Sequence, residues 1–336
     1  MRPLRRLGFL TIGLFDPADP GPGHASVLEI VELGERLGFD SAWLRSRHLQ
    51  AGISSPLAVI AAASQRTSRI HLGTAVMPLG LENPFRLAED LATVDLLAGG
   101  RLEPGFSTGT PLHFEHLREA LYPGTHELED LGPGRLERLL SALRGEPVTD
   151  FEGTVGIEQY LRSAQPHVPG LAARVWQGVG SVASAETAGR LGLNLLTSSV
   201  VRAEDDVVDL DAIQRRHIDA FRAQHPDGEA ARASLGPVVI PTDSATPDQV
   251  ARYAAYVESR AGRVGVPQGP GRLLFAPDLL GTSEQLAERL SALAAFQAVD
   301  ELVVALPFTL EHADYVQILT DLAERLGPLL GWTPAG

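Results

Sequence analysis

The sequence predicts an α/β protein, a (β/α)8 TIM barrel with insertions at the C-terminal mouth. Three observations lead there. Short apolar runs alternate with helix-period segments eight times along 336 residues, the pattern of repeated βα units. No shift in composition marks a linker, so residues 1–336 read as one domain. Two irregular stretches, about 109–134 and 241–272, follow predicted strands and so belong over the strand C-termini.

The elements follow in order. Gly8 to Leu14 is apolar and reads as the first strand; Asp16 and Pro17 end it too early for a signal peptide, so a cytoplasmic protein is expected. His24 to Leu37 carries Val27, Ile30, Val31 and Leu37 at helical spacing, and Gly38 stops it. Ser41 to Arg45 is the second strand, and Pro56 to Thr67 a helix with proline in its first turn. Ile70 to Met77 and Arg101 to Thr108 are the third and fourth strands, separated by a helix over Pro84 to Leu97 that Gly99-Gly100 ends. A Pro-, Gly- and His-rich stretch precedes the helix Arg135 to Leu143. Strands five to seven are Val175 to Val179, Leu193 to Thr197 and Leu235 to Ile240, with helices over Val182 to Leu191 and Leu210 to Gln224. The second insertion holds a helix over Pro247 to Arg260; a helix over Ser283 to Phe296, a strand over Leu302 to Leu306 and a last helix with an apolar stripe complete the chain.

Composition removes several chemistries. The chain has no cysteine and no lysine, which excludes disulfides, thiolate nucleophiles, iron–sulfur ligation and Schiff bases. With 28 basic and 42 acidic residues the formal charge is −14, which argues against nucleic acid. No apolar run is long enough to span a membrane. The predicted strand ends offer neither paired carboxylates nor a metal-binding cluster; they carry small hydroxyls, apolar groups and, after strand two, Arg47 and His48. Such a mouth suits a cofactor that brings the chemistry itself. His113, Glu115 and His116 lack the H-E-x-x-H spacing and read as a solvated loop, so no metal is expected.

Gly178-Val179-Gly180-Ser181-Val182-Ala183 matches G-x-G-x-x-A between a strand and a helix. The acid that a dinucleotide ribose needs is missing, because the next strand ends in Thr197-Ser198-Ser199. Two readings stay open: a mononucleotide phosphate seat built from backbone amides, Ser181 and Ser184, or a plain turn with Ser181 as N-cap. Phe15, Met77, Leu79, Phe106 and Phe308 either line an apolar pocket or fill the barrel.

Several segments together resemble the bacterial luciferase-like flavin-dependent monooxygenases: GFDSAWL (38–44), residues 55–79, residues 83–105, GVGSVASAETAGRLGLNLLTS (178–198) and GTSEQLAERL (281–290). The resemblance implies a TIM barrel with non-covalent FMN, or in some branches a deazaflavin coenzyme. It implies reduced flavin supplied by a separate flavin reductase, O2 and a small organic substrate, and a homodimer. It places a non-prolyl cis peptide under the flavin at Ala75–Val76, beside Met77. It places the phosphate at Ser181 and Ser184 with Gly180 beside them, Gly178 among the cofactor contacts, and another flavin contact at Thr197 and Ser198. Thr108 stands where luciferases have a phosphate-binding arginine, and Arg47-His48 stands where they have a histidine pair. His48 is then the candidate base, and Arg47 the candidate stabiliser of a peroxide or a substrate anion. Two alternatives accompany this reading: a deazaflavin-dependent dehydrogenase, and a non-catalytic flavin-binding subunit.

Overall fold

The computed structural model describes residues 3–204 and 207–335. Its strands are β1 (Arg6–Thr11), β2 (Ser41–Leu44), β3 (His71–Thr74), β4 (Met77–Pro78), β5 (Leu102–Glu103), β6 (Gly105–Ser107), β7 (Gly153–Val155), β8 (Glu158–Tyr160), β9 (Trp176–Gly178), β10 (Asn194–Ser198), β11 (Val200–Arg202), β12 (Ala233–Gly236), β13 (Val239–Pro241), β14 (Leu273–Phe275), β15 (Leu279–Gly281) and β16 (Glu301–Ala305). The principal helices are α1 (Gly21–Arg36), α2 (Pro56–Ser64), α3 (Pro84–Leu97), α4 (Phe114–Leu121), α5 (Pro133–Leu143), α6 (Val182–Arg190), α7 (Leu210–Gln224), α8 (Pro247–Ala261), α9 (Ser283–Ser291), α10 (Ala294–Gln297) and α11 (His312–Asp321).

Among the described residues, ten strands form one curled sheet in the order β4-β6-β9-β10-β12-β16-β1-β2-β3-β5. Every pairing in it is parallel. The two ends of this order come from the same stretches of chain, since β4 follows β3 and β6 follows β5 almost directly. Parallel strands need covered faces. Helices supply the outer cover: Ile30, Leu91, Leu139, Phe221, Leu286 and Ile318 are all fully buried in the main apolar cluster.

The inner face has its own small cluster, Trp43, Trp176, Leu196 and Val303, with Leu10, Ala75 and Val76 packed on it. The two indoles meet edge to face at 5.4 Å. Gly73 is required beneath them, because a Cβ there would lie 2.3 Å from the Trp43 ring. Below the indoles, Glu103 and Glu301 share Arg232 at 3.0 and 3.1 Å. This buried ionic layer joins β5 to β16, residues far apart in the chain.

Several predicted elements change in detail. The third predicted strand is split at Ala75–Val76, a cis peptide. Proline interrupts the fourth and seventh predicted strands at Pro104 and Pro237, where no N–H is available for the ladder. The first irregular stretch is partly helical, containing α4 with Phe114 turned inward. The helix expected over Ser283 to Phe296 is two helices, α9 and α10, because Leu293 adopts an extended backbone between them. The hairpin β7–β8 is absent from the sequence reading, and all six of its residues are exposed.

Candidate functional site

Period-two alternation along β2 determines what reaches the C-terminal end of the inner face. Trp43 points inward and donates to the Ser41 hydroxyl at 2.8 Å. Arg45 continues that face, with its own amide still bonded to the Thr11 carbonyl. Burial lowers the Arg45 pKa to about 10, and the nearby Arg47 charge adds to the shift. Arg47 lies 5.7 Å from the Phe308 ring centroid, and its pKa is also lowered by burial. His48 is half-buried, and desolvation lowers its pKa, so the neutral imidazole is favoured at pH 7. Its Nε2 is buried without a hydrogen-bond partner.

Across the sheet end, Ala75, Val76 and Gly178 meet. A Cβ on Gly178 would stand 2.9 Å from Val76 Cγ1, so glycine allows β9 to approach the cis peptide. Gln177 donates to the Thr108 hydroxyl at 3.3 Å, while its Oε1 is buried and unpartnered. Thr197 and Ser198 are held from the side by Gln214, whose amide reaches Thr197 Oγ1 at 3.4 Å and the Ser198 carbonyl at 2.7 Å. Met77, Leu79 and Phe106 are buried in the main core; Phe15 and Phe308 are half-buried.

The glycine-rich turn folds as a capping box. Ser181 Oγ accepts from the Ser184 amide at 3.3 Å, and Ser184 Oγ accepts from the Ser181 amide at 3.2 Å. The Gly180 amide donates to the same Ser184 oxygen at 3.4 Å. The Val182 amide donates to Glu204 Oε1 at 3.1 Å. His217, fully buried, holds that carboxylate oxygen at 2.7 Å, and Arg216 reaches the other at 3.2 Å. A carboxylate therefore stands at the positive end of α6, where the sequence suggested a phosphate.

A flavin fits this end of the sheet in part. The apolar floor, the Gly178 approach and the orphaned His48 Nε2 suit a flat ring with polar edges. The serine amides and hydroxyls suit a phosphate, provided Glu204 withdraws.

Two cavities lie elsewhere. One of about 720 Å3 is lined by residues of α3 and α5, including Asn83, Glu137 and Arg138, and touches none of the predicted site residues. Another of about 370 Å3 lies past β1, lined by Phe15, Asp16 and Asp19. His113, Glu115 and His116 do converge, with donor atoms within 4.8 Å of one another, but all three are exposed. No helix among the described residues is long and apolar enough to cross a membrane.

Sequence reasoning missed Arg45 and Glu204. Alternation along Ser41-Ala42-Trp43-Leu44-Arg45 held the signal for the first. Glu204 sits in an irregular loop, where no periodicity announces a side chain's direction.

The chain is 38% identical over 102 residues to 4-hydroxyprotoasukamycin monooxygenase of Streptomyces nodosus, covering 29% of this chain and 27% of that protein. It is 31% identical over 190 residues to an F420-dependent glucose-6-phosphate dehydrogenase of Intrasporangium calvum, covering 53% and 54%. The chain thus matches less than two thirds of the length of these curated relatives. The fold matches the FMN complex of the oxygenating constituent of 3,6-diketocamphane monooxygenase from Pseudomonas putida, with TM-score 0.66, 16% identity and coverage of 97% and 98%. The family model for luciferase-like monooxygenases matches residues 6–302, and the chain belongs to that family.

Proposed function

We propose that this protein is a flavin-dependent monooxygenase, an oxidoreductase that uses reduced FMN and O2 to oxidise a small organic substrate. The observation that carries this reading is the family match over residues 6–302. The character of the strand ends supports it: without thiol, lysine or paired carboxylates, the mouth depends on a bound group for its redox chemistry. When bound, that group would supply electron transfer and oxygen activation. The chain's residues would hold and shield it. Ala75, Val76 and Gly178 form the floor with Met77 buried behind them, His48 offers a polar contact, and Thr108, Gly180, Ser181, Ser184, Thr197 and Ser198 edge the seat. His48, neutral at pH 7, is suited to accept a proton from substrate.

The same reading includes a closed (β/α)8 barrel. The β3–β5 and β4–β6 pairings, at opposite ends of the strand order, support it. It also includes one domain over residues 1–336 with its insertions at the mouth, a cytoplasmic location, a homodimer and a separate flavin reductase. Stopped-flow absorbance tests the activity. Protein loaded with reduced FMN is mixed with O2, without substrate. The expected result is return of oxidised flavin at least tenfold more slowly than for free flavin. Return at the free-flavin rate overturns the monooxygenase reading.

The second reading is a deazaflavin-dependent dehydrogenase. Similarity to the F420-dependent dehydrogenase over 190 residues favours it. Tighter binding of a deazaflavin than of FMN, with substrate oxidation independent of O2, would select it. Flavin bound without turnover in either assay would select the non-catalytic subunit.

A further inference from the structure

We infer that Arg45 and Arg47 form an oxyanion seat for the substrate, so that the preferred substrate carries a carboxylate or sulfonate beside an apolar body. This rests on the monooxygenase reading only in taking the bound anion to be what is oxidised.

The chain carries 42 acidic side chains against 28 basic ones, yet cations collect here. Among the described residues, neither Arg45 nor Arg47 has a carboxylate within ion-pair distance, whereas Arg66, Arg135, Arg174, Arg232 and Arg252 each do. Two guanidiniums lie over the Phe308 ring, Arg47 at 5.7 Å and Arg260 at 5.4 Å from its centroid. Arg260 is neutralised by Asp278, which also faces Arg263 on the Phe275 ring at 4.3 Å. Asp278 thus serves Arg260 and Arg263, and among the described residues no ion pair neutralises Arg45 or Arg47.

Burial makes the imbalance consequential. A buried charge without a partner is unfavourable, and two like charges side by side make it more so. Arg45 remains protonated at pH 7 even with its pKa lowered to about 10. An anion between Arg45 and Arg47 would offset both effects, and guanidinium forks match carboxylate and sulfonate oxygens. Phe308 gives the rest of the ligand an apolar wall. The serine-rich turn follows β9, which is not a neighbour of β2 in the sheet, so a phosphate seated there does not need the arginines.

Isothermal titration calorimetry tests the seat with matched probes: benzoate against benzamide, and octanoate against octanamide. Titrations are run with and without FMN, at low and at 150 mM salt. In at least one pair the anion is expected to bind tenfold or more tightly than its amide, and less tightly at the higher salt. Arg45→Gln and Arg47→Gln should each remove that preference, while Arg47→Lys keeps part of it. Circular dichroism checks folding, and Arg45→Lys serves if Arg45→Gln does not fold. Equal binding of anion and amide in both pairs overturns the proposal. So does a tenfold loss of FMN affinity in the glutamine variants with riboflavin affinity unchanged, which would assign the arginines to the flavin phosphate. If the wild type binds no flavin or deazaflavin but keeps arginine-dependent anion binding, the monooxygenase reading fails and the seat stands.

Discussion

At the scale of single residues, Glu204 is the informative one. Its carboxylate accepts from the Val182 amide at the start of α6, and a phosphate arriving there meets a like charge. Glu204→Gln keeps an acceptor for that amide and for His217, yet removes the charge. FMN affinity should rise about three- to tenfold, of the order of 1 kcal/mol. Riboflavin, which has no phosphate, should bind unchanged. Equal changes for the two ligands would show that Glu204 acts on the ring or on folding instead. Gly178 sets a second expectation. Gly178→Ala brings a Cβ to 2.9 Å from Val76 Cγ1, so that side chain must shift. Affinity for FMN and riboflavin should then fall together by about tenfold, because the change lies at the floor and not at the phosphate end. The sequence made Gly178, Ser181 and Ser184 legible, since a strand–glycine–serine–helix pattern has a local mechanism. It could not say that the two serines bond each other. Nor could it show a distant acid at the helix end, because Glu204 lies 22 residues from Val182 and its approach depends on tertiary structure.

At the scale of elements, periodicity was most informative where segments are long and half-buried. The sequence places α3 and α7 at the residues they occupy, and α6 within one residue. In each, a terminal residue caps the end: Asn83 accepts from the Phe85 and Arg86 amides, and Asp209 from the Asp211 and Ala212 amides. Short strands were harder. A single proline or a cis peptide divides an apolar run without altering its composition, as Pro104 and Pro237 do. The β7–β8 hairpin escaped because its residues are exposed on both faces, so no alternation separates inside from outside. That exposure has an energetic consequence. Val155 and Ile157 bury little against the protein, at 57% and 101% exposure, so the tip adds little apolar stabilisation. Replacing residues 153–160 with a short Gly-Ser link should move the thermal midpoint by no more than about 2 °C. A drop of about 5 °C or more in calorimetry, together with a change in elution volume, would mean that a second molecule covers it.

At the scale of the whole molecule, the buried ionic layer ties the curled sheet together. Glu103 accepts from the Trp176 indole and pairs with Arg232, and Arg232 pairs with Glu301, so β5, β9 and β16 meet through one guanidinium. Burial by itself would raise both carboxyls. For Glu103, hydrogen bonds from His71 and Trp176 and the Arg232 charge outweigh burial, and its pKa is lowered to about 2. For Glu301, burial dominates and the Glu103 charge adds to it, so its pKa is raised. The signs then diverge. Glu103 contributes stability that is present above its unfolded pKa, about 4.3, and is lost as pH falls toward 2. Glu301 contributes the other way: its burial as an anion is a cost at neutral pH, and protonation relieves that cost. Glu103→Gln should therefore lower stability at pH 7 by about 3 kcal/mol. The difference from wild type should shrink steadily as pH drops from about 4.5 to 2.5. Glu301→Gln should cost much less at pH 7, because it removes the less favourable of two anions sharing one cation. Urea midpoints for the three proteins across this pH range decide the matter. Parallel curves for Glu103→Gln and wild type below pH 4.5 would mean that the layer stabilises by packing and not by charge.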